Sequence, residues 1–196
     1  MQLHERFVIV AKKYGGKLAF VDRSTNRKLT YSKALIASLV LSEKFKQYEE
    51  GFIGIMVPTT AGCALAILGA LMSGRTPVMI NYSTGAASNA EFAQRKCDFR
   101  TIITSKALLE KVNCRFVPGM VFLEDIMAGV TITDKLSAAV RSKLPGALIR
   151  ASIHRGSMDE NLIILFTSGS EKDPKAVQLT HRNLQRIGRY FQPEYQ

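Results

Sequence analysis

Cysteine is scarce in this chain of 196 residues: three thiols, at Cys63, Cys97 and Cys114, an odd number without paired metal-ligand spacing. That argues against a disulfide framework and against a zinc site, and fits a reducing cytoplasm, with the thiols as small buried hydrophobes. Acidic residues are also few, 16 against 27 Lys plus Arg, for a formal net charge of +11. Such an excess attracts polyanions in general. There is no Lys/Arg run, however, and little aromatic interleaving, so nucleic acid is not expected as a partner and most cations are read as solvated surface. The N-terminal MQLHERFVIVAKKYGGK mixes charges with its apolar residues and lacks a hydrophobic signal core with a cleavage site, so secretion is not expected. Internal repeats and low-complexity tracts are absent.

What is there is a large apolar fraction, 46%, enough for a real core in one domain or one lobe. The stretch Gly51 to Gly74 carries no charge and, at roughly two dozen residues, is long enough to span a bilayer. Pro58, Thr59 and Thr60 interrupt it, so it reads as a strand Phe52 to Val57, a turn, and a buried helix from about Thr60 to Met72.

Strands alternate with helices along the chain. Ala19 to Asp22 and Lys28 to Thr30 read as short strands joined by a polar turn at residues 23–26. Thr30 or Ser32 then caps a helix to about Tyr48, with Leu35, Ile36, Leu39, Val40 and Phe45 on its core face. Further strands are expected at Thr76 to Ile80, Thr101 to Thr104, Val117 to Leu123 and Val177 to Leu179. Helices are expected at about Ala87 to Lys96, Lys106 to Val112, Asp134 to Leu144 and His181 to Phe191, and Pro145 to Asp159 is read as a connector in which His154 is a solvent-exposed loop histidine. This alternation predicts an α/β fold, a mostly parallel sheet flanked by helices, whose ligands collect at the carboxyl ends of strands.

The segment Leu162 to Val177, LIILFTSGSEKDPKAV, is the strongest functional signal. Leu162 to Phe166 form a continuous apolar strand of the kind buried in the middle of a parallel sheet. The loop after it suits a phosphate tail: Thr167, Ser168 and Ser170 supply hydroxyls, Gly169 lets the main chain approach, Lys172 and Lys175 supply charge, and Pro174 stiffens the far side. It is not a Walker A loop, because no Gly-Lys-Ser/Thr follows Gly169 at the required interval. Ser, Gly, Lys and Pro also gather in ordinary surface turns; the preceding apolar strand and the following Pro-Lys favour the nucleotide reading.

The loop resembles the signature of the adenylate-forming (AMP-binding) superfamily of acyl-CoA synthetases, luciferases and peptide-synthetase adenylation domains, roughly Thr-Ser-Gly-Ser/Thr-Thr-Gly-x-Pro-Lys-Gly. Thr167, Ser168, Gly169, Ser170, Pro174 and Lys175 match in register, while Glu171, Lys172 and Ala176 replace the usual Thr, Gly and Gly. Leu29-Thr30-Tyr31 and GFIGIMVPTTAGCALAILGALMSGRTPVMIN also resemble family segments, so the similarity covers nearly the whole chain. INYSTGAASN at Ile80 to Asn89, VFLEDI at Val121 to Ile126 with a following DKL at Asp134, and SGSEKDPKAVQLTHRN look like the acyl-[acyl carrier protein] synthetase region of bifunctional 2-acylglycerophosphoethanolamine acyltransferases.

The resemblance implies the N-terminal lobe of the adenylate-forming enzyme fold, residues 1–196, ending before the family's later motifs and C-terminal lid. It implies an ATP- and Mg2+-dependent ligase that activates a fatty acid as acyl-adenylate and transfers it to acyl carrier protein or CoA. Thr167, Ser168, Gly169, Ser170, Glu171, Lys172 and Lys175 are carried over as the ATP phosphate-binding loop. No catalytic residue or metal ligand is expected within the 196 residues, and the lobe alone is expected not to turn over. A cytoplasmic location is implied, with peripheral membrane association of the full-length protein an open alternative. An amino-acid or aryl-acid substrate, and a non-catalytic binding or scaffold module, are the competing readings.

Overall fold

The computed structural model describes residues 1–22, 26–167 and 174–190, with side chains up to residue 187. The chain opens with helix α1 (Leu3–Lys13), then a hairpin of β1 (Leu18–Asp22) and β2 (Arg27–Thr30), and α2 (Tyr31–Phe45). The main unit follows: β3 (Gly51–Ile55), α3 (Ala61–Met72), β4 (Arg75–Met79), α4 (Ala86–Cys97), β5 (Ile102–Thr104), α5 (Lys106–Lys111) and β6 (Met120–Phe122). Three helices, α6 (Leu123–Ala128), α7 (Ile132–Lys143) and α8 (Gly146–Ala151), precede β7 (Asn161–Thr167), β8 (Lys175–Thr180) and α9 (His181–Tyr190).

The sheet order is β6-β5-β3-β4-β7-β8, parallel throughout except for β8, which pairs antiparallel with β7 at the edge. Adjacent residues on each strand point to opposite faces. Val78, Ile102, Met120 and Ile164 pack with Ala86, Ala90 and Ala93 of α4 and Leu108 of α5. Ile53, Ile55, Met79, Ile103 and Val121 pack instead on the α2 and α3 side. Both faces are therefore covered, as a parallel sheet requires. An outer layer of α1, α7 and α8 closes over α2 through Val8, Leu35, Leu39, Ala138 and Ile149.

The charge-free stretch resolves into β3 and a twelve-residue buried helix whose N-cap Thr60 accepts a hydrogen bond from the Cys63 N–H at 3.4 Å. Gly69 lets α2 approach closely, since a Cβ there would lie 2.7 Å from the Leu41 Cβ. Among the described residues, no helix is long and apolar enough to cross a membrane.

Several expectations are corrected. The N-terminal segment forms α1, its start closed by a capping box between Gln2 and Glu5. The region expected as a bare connector contains α8, starting directly after Pro145. The strand expected from Val117 to Leu123 is only Met120–Phe122, because the chain turns into α6 at Leu123. α7 begins at Ile132, capped by Thr131 rather than at Asp134, which instead completes the capping box. The last strand is longer than expected, Lys175–Thr180, because it pairs along β7. Cys63 is buried, whereas Cys97 and Cys114 are half-buried at the rim of the core.

Candidate functional site

The parallel strands all carry their carboxyl ends on one edge of the sheet, and three polar loops leave from it. After β3, Pro58, Thr59 and Thr60 lead into α3. After β4, Asn81 Oδ1 accepts from the Ser83 N–H at 2.9 Å and the Ser83 hydroxyl at 2.8 Å. Asn89 Nδ2 donates back to the main-chain oxygens of Asn81 and Thr84 at 2.9 and 2.7 Å, so the first turn of α4 grips its own entry loop. Gly85, the α4 N-cap, sits at φ +63°, a left-handed conformation that glycine adopts without strain. Neither α3 nor α4 has an acidic residue in its first turn, which leaves the partial positive charge of both helix starts uncompensated on this edge.

The third loop belongs to β7. Leu165 faces Val177, Phe166 faces Ala176 and Thr167 faces Lys175 in antiparallel register, so the loop is the turn of a hairpin. Its two ends, Thr167 and Lys175, are held opposite each other with both side chains exposed. The Phe166 ring stands edge-on to Phe92 of α4, centroids 5.7 Å apart, which fixes the base of the hairpin against the helix flanking the Asn81 loop. Of the seven expected phosphate contacts, the structure thus places Thr167 and Lys175 together; Ser168, Gly169, Ser170, Glu171 and Lys172 lie outside the described residues. β7 differs from expectation in one respect: it lies next to the sheet edge, and Leu165 and Val177 remain about one-third exposed on one face.

The opposite edge holds an arrangement that local sequence patterns do not signal. All three histidines of the chain, His4, His154 and His181, gather there. They line a cleft of about 480 Å³ at the amino ends of β3, β4 and β7, together with Arg75, Glu160 and Asn161. The His4 Nε2 donates to the main-chain oxygen of His154 at 2.9 Å, the Leu3 N–H donates to His181 Nδ1 at 3.1 Å, and His154 Nε2 lies 3.0 Å from Glu160. Burial, followed by repulsion from His4, pushes the His181 pKa down to about 4, and burial lowers that of His4. His154, expected as a solvent-exposed loop residue, is thus engaged on both its backbone and its ring. Among the described residues no group of three His, Cys, Asp or Glu is placed to hold a metal ion. This cleft is on the wrong edge for a ligand of the β7 loop, and its partners mostly satisfy one another, so it reads as a structural joint.

A mostly parallel α/β lobe whose carboxyl edge gathers hydroxyls, helix starts and a lysine-bearing hairpin has the fold of the N-terminal domain of adenylate-forming enzymes. The chain belongs to the AMP-binding enzyme family, whose model matches residues 7–193. Enzymes of this family are acid–thiol ligases. The chain is 25% identical over 186 residues to the hybrid PKS-NRPS synthetase poxE of Penicillium oxalicum, covering 93% of this chain and 4% of that protein. In structure it resembles the NpsA N-terminal subdomain of Klebsiella oxytoca in complex with 3-hydroxybenzoyl-AMSN, with a TM-score of 0.71, 18% identity, and coverage of 95% of this chain and 43% of that one. It also resembles a benzoate CoA ligase from Burkholderia xenovorans LB400, with a TM-score of 0.72, 18% identity, and coverage of 97% and 37%. The chain therefore spans a small fraction of the curated relatives it matches and less than half of these structures.

Proposed function

We propose that these residues are the N-terminal lobe of an ATP-dependent acid–thiol ligase that activates a fatty acid as its acyl-adenylate and passes it to acyl carrier protein or CoA. The single observation that carries this reading is the β7–β8 hairpin, which sets Thr167 opposite Lys175 at the carboxyl end of a parallel strand. The arrangement fits a polyphosphate: hydroxyls, glycine and cations come from one short loop, and no acid in the first turns of α3 or α4 opposes the anion.

In this reading ATP supplies the activated phosphorus, and Mg2+ would be held, as the family resemblance implies, by residues of a longer protein. The lobe's own contribution is positioning. The β7–β8 ladder holds the loop termini at a fixed separation, the Phe166–Phe92 contact braces them, and Thr167, Ser168, Gly169, Ser170 and Lys175 hold the β- and γ-phosphates by hydrogen bonds and charge, with Glu171 and Lys172 in the same loop. The exposed apolar pair Leu165 and Val177 supports a lobe that another part of a longer protein covers.

The fatty-acid assignment rests on the sequence resemblance at Ile80 to Asn89 and Val121 to Ile126. The competing substrates, amino acids and aryl acids, draw support from relatives named for a peptide synthetase and a benzoate ligase. Acid-dependent pyrophosphate exchange on the longer protein, with a panel of fatty, aryl and amino acids, separates them. Exchange with long-chain fatty acids is expected; exchange with an amino or aryl acid alone would overturn the substrate assignment, and none with any acid would favour a non-catalytic module.

A further inference from the structure

α7 is amphipathic in an unusual way. Its inward side, with buried Ala138 and Ser142, packs on α2, and two ion pairs lock it there: Asp134 to Lys44 at 2.6 Å and Arg141 to Glu43 at 2.6 Å. Its outward side is not polar. Ile132, Leu136 and Val140, spaced one helical turn apart, are 82%, 62% and 58% exposed. Beyond the end of α7, Leu144 and Leu148 of the following turn and α8 are exposed as well. Isolated surface aliphatics are ordinary, but a three-member row along one helix face is not.

The charges around the row have one sign. Residues 131–151 contain Lys135, Arg141, Lys143 and Arg150 against a single acid, Asp134. That acid is engaged by Lys44, so the free flanks of the row are cationic: Lys135 and Lys143 are both exposed. A helix lying flat with an aliphatic ridge on one side and lysines along its border has the composition of an interfacial membrane-binding helix. A second copy of this chain is disfavoured, since pairing two such rows brings like charges together. The row is also a convex ridge rather than a groove, so it suits insertion among lipid headgroups better than reception of a partner's helix.

We propose that the α7 ridge docks this protein on an anionic lipid surface, inserting Ile132, Leu136 and Val140 while Lys135 and Lys143 meet the headgroups. This goes beyond the proposed ligase chemistry and does not rest on it, because the ridge lies outside the β7–β8 hairpin.

The test is flotation of the 196-residue chain with vesicles of phosphatidylcholine alone and with phosphatidylserine added. Binding is expected to the anionic vesicles, to weaken as salt is raised, and to fall about fivefold for each of Lys135→Gln and Lys143→Gln, as loss of one juxtamembrane cation implies. The double variant Leu136→Glu, Val140→Glu should lose binding altogether. Both positions are exposed, so an unchanged circular dichroism spectrum and melting curve are expected and separate docking from folding. Equal binding by that double variant, or equal binding to both kinds of vesicle, overturns the proposal. So does failure to float together with a concentration-dependent dimer that the double variant abolishes, which would make a second copy the occupant.

Discussion

The His4 ring donates from Nε2 to the main-chain oxygen of His154 at 2.9 Å, joining the first helix to the segment before β7 across 150 residues of sequence. Because Nε2 is the donor, the neutral ring leaves Nδ1 as an acceptor, and that buried atom has no partner among the described residues. His181 stands edge-on to His4 at 5.7 Å between ring centroids, and Glu160 takes hydrogen bonds from Gln2 and the Ser157 N–H beside them. Protonating this cluster would place a second cation against the first, with no carboxylate among the described residues directly paired to either His4 or His181.

That arrangement makes the fold acid-sensitive through its histidines. His181 is held down to about 4 by burial and then by His4, and His4 is lowered by burial. In the unfolded chain both take up protons near pH 6.5; the folded state resists until lower pH. Stability is therefore full above about pH 6.5 and declines as pH falls towards 4. For His181 the loss is on the order of 2 kcal/mol, or roughly 4–8 °C in Tm. Thermal melts followed by circular dichroism between pH 7.5 and 4.5 should show it, and His181→Gln should flatten the slope. A melting temperature that is constant across this range in the native protein would refute the assignment.

Glu49 organises the start of β5 from outside the strand. Its Oε1 accepts from the N–H groups of Arg100 and Thr101 at 2.7 and 2.6 Å, and its Oε2 from the Thr101 hydroxyl at 2.6 Å. Burial opposes ionisation there, but the hydrogen bonds from Thr101 prevail and hold the carboxyl below its ordinary range. Glu49→Ala strands these donors and should cost about 1–3 kcal/mol in urea denaturation, whereas Glu49→Gln, which keeps one acceptor, should cost less.

Arg75 is an exception to the expectation that most cations are solvated surface. It is buried at the start of β4, and its guanidinium donates to the main-chain oxygens of Glu49, Lys46, Tyr48 and Ser73. One planar fork thus staples the end of α2 and the turn before β3 to the α3–β4 junction. Arg75→Lys keeps the charge but not the fork, and a loss of about 2–4 kcal/mol is expected. A lysine variant as stable as the native protein would show that charge alone suffices.

What the sequence makes legible here is what local rules encode. Thr60 before an apolar run marks the start of α3, and Thr30 and Ser105 cap α2 and α5 in the same way. The β7 loop is legible because strand, hydroxyls, proline and lysine lie within one short window. α1 escapes because its charges interrupt the apolar period, and α8 because six residues after a proline carry too little pattern. The histidine joint and the Arg75 staple escape for a different reason: their partners come from elements that only tertiary folding brings together. The two-sided burial expected of β7 fails at Leu165 because β8 makes this end of the sheet an antiparallel hairpin.

Lys175 offers the sharpest test of the hairpin's role. It is exposed and terminates the ladder opposite Thr167, so truncation removes a cation from the loop without opening the core. In the full-length ligase proposed above, Lys175→Ala should slow acid-dependent pyrophosphate exchange on the order of a hundredfold, as expected for loss of one preorganised charge. Thr167→Ala should slow it less, because a neutral donor contributes less than an ammonium. Melting temperatures of both variants should stay within a few degrees of that of the native protein, since both side chains are exposed and neither is part of the core. Full exchange activity in Lys175→Ala would mean that this end of β8 does not hold phosphate, and the proposed chemistry of the hairpin would fall with it.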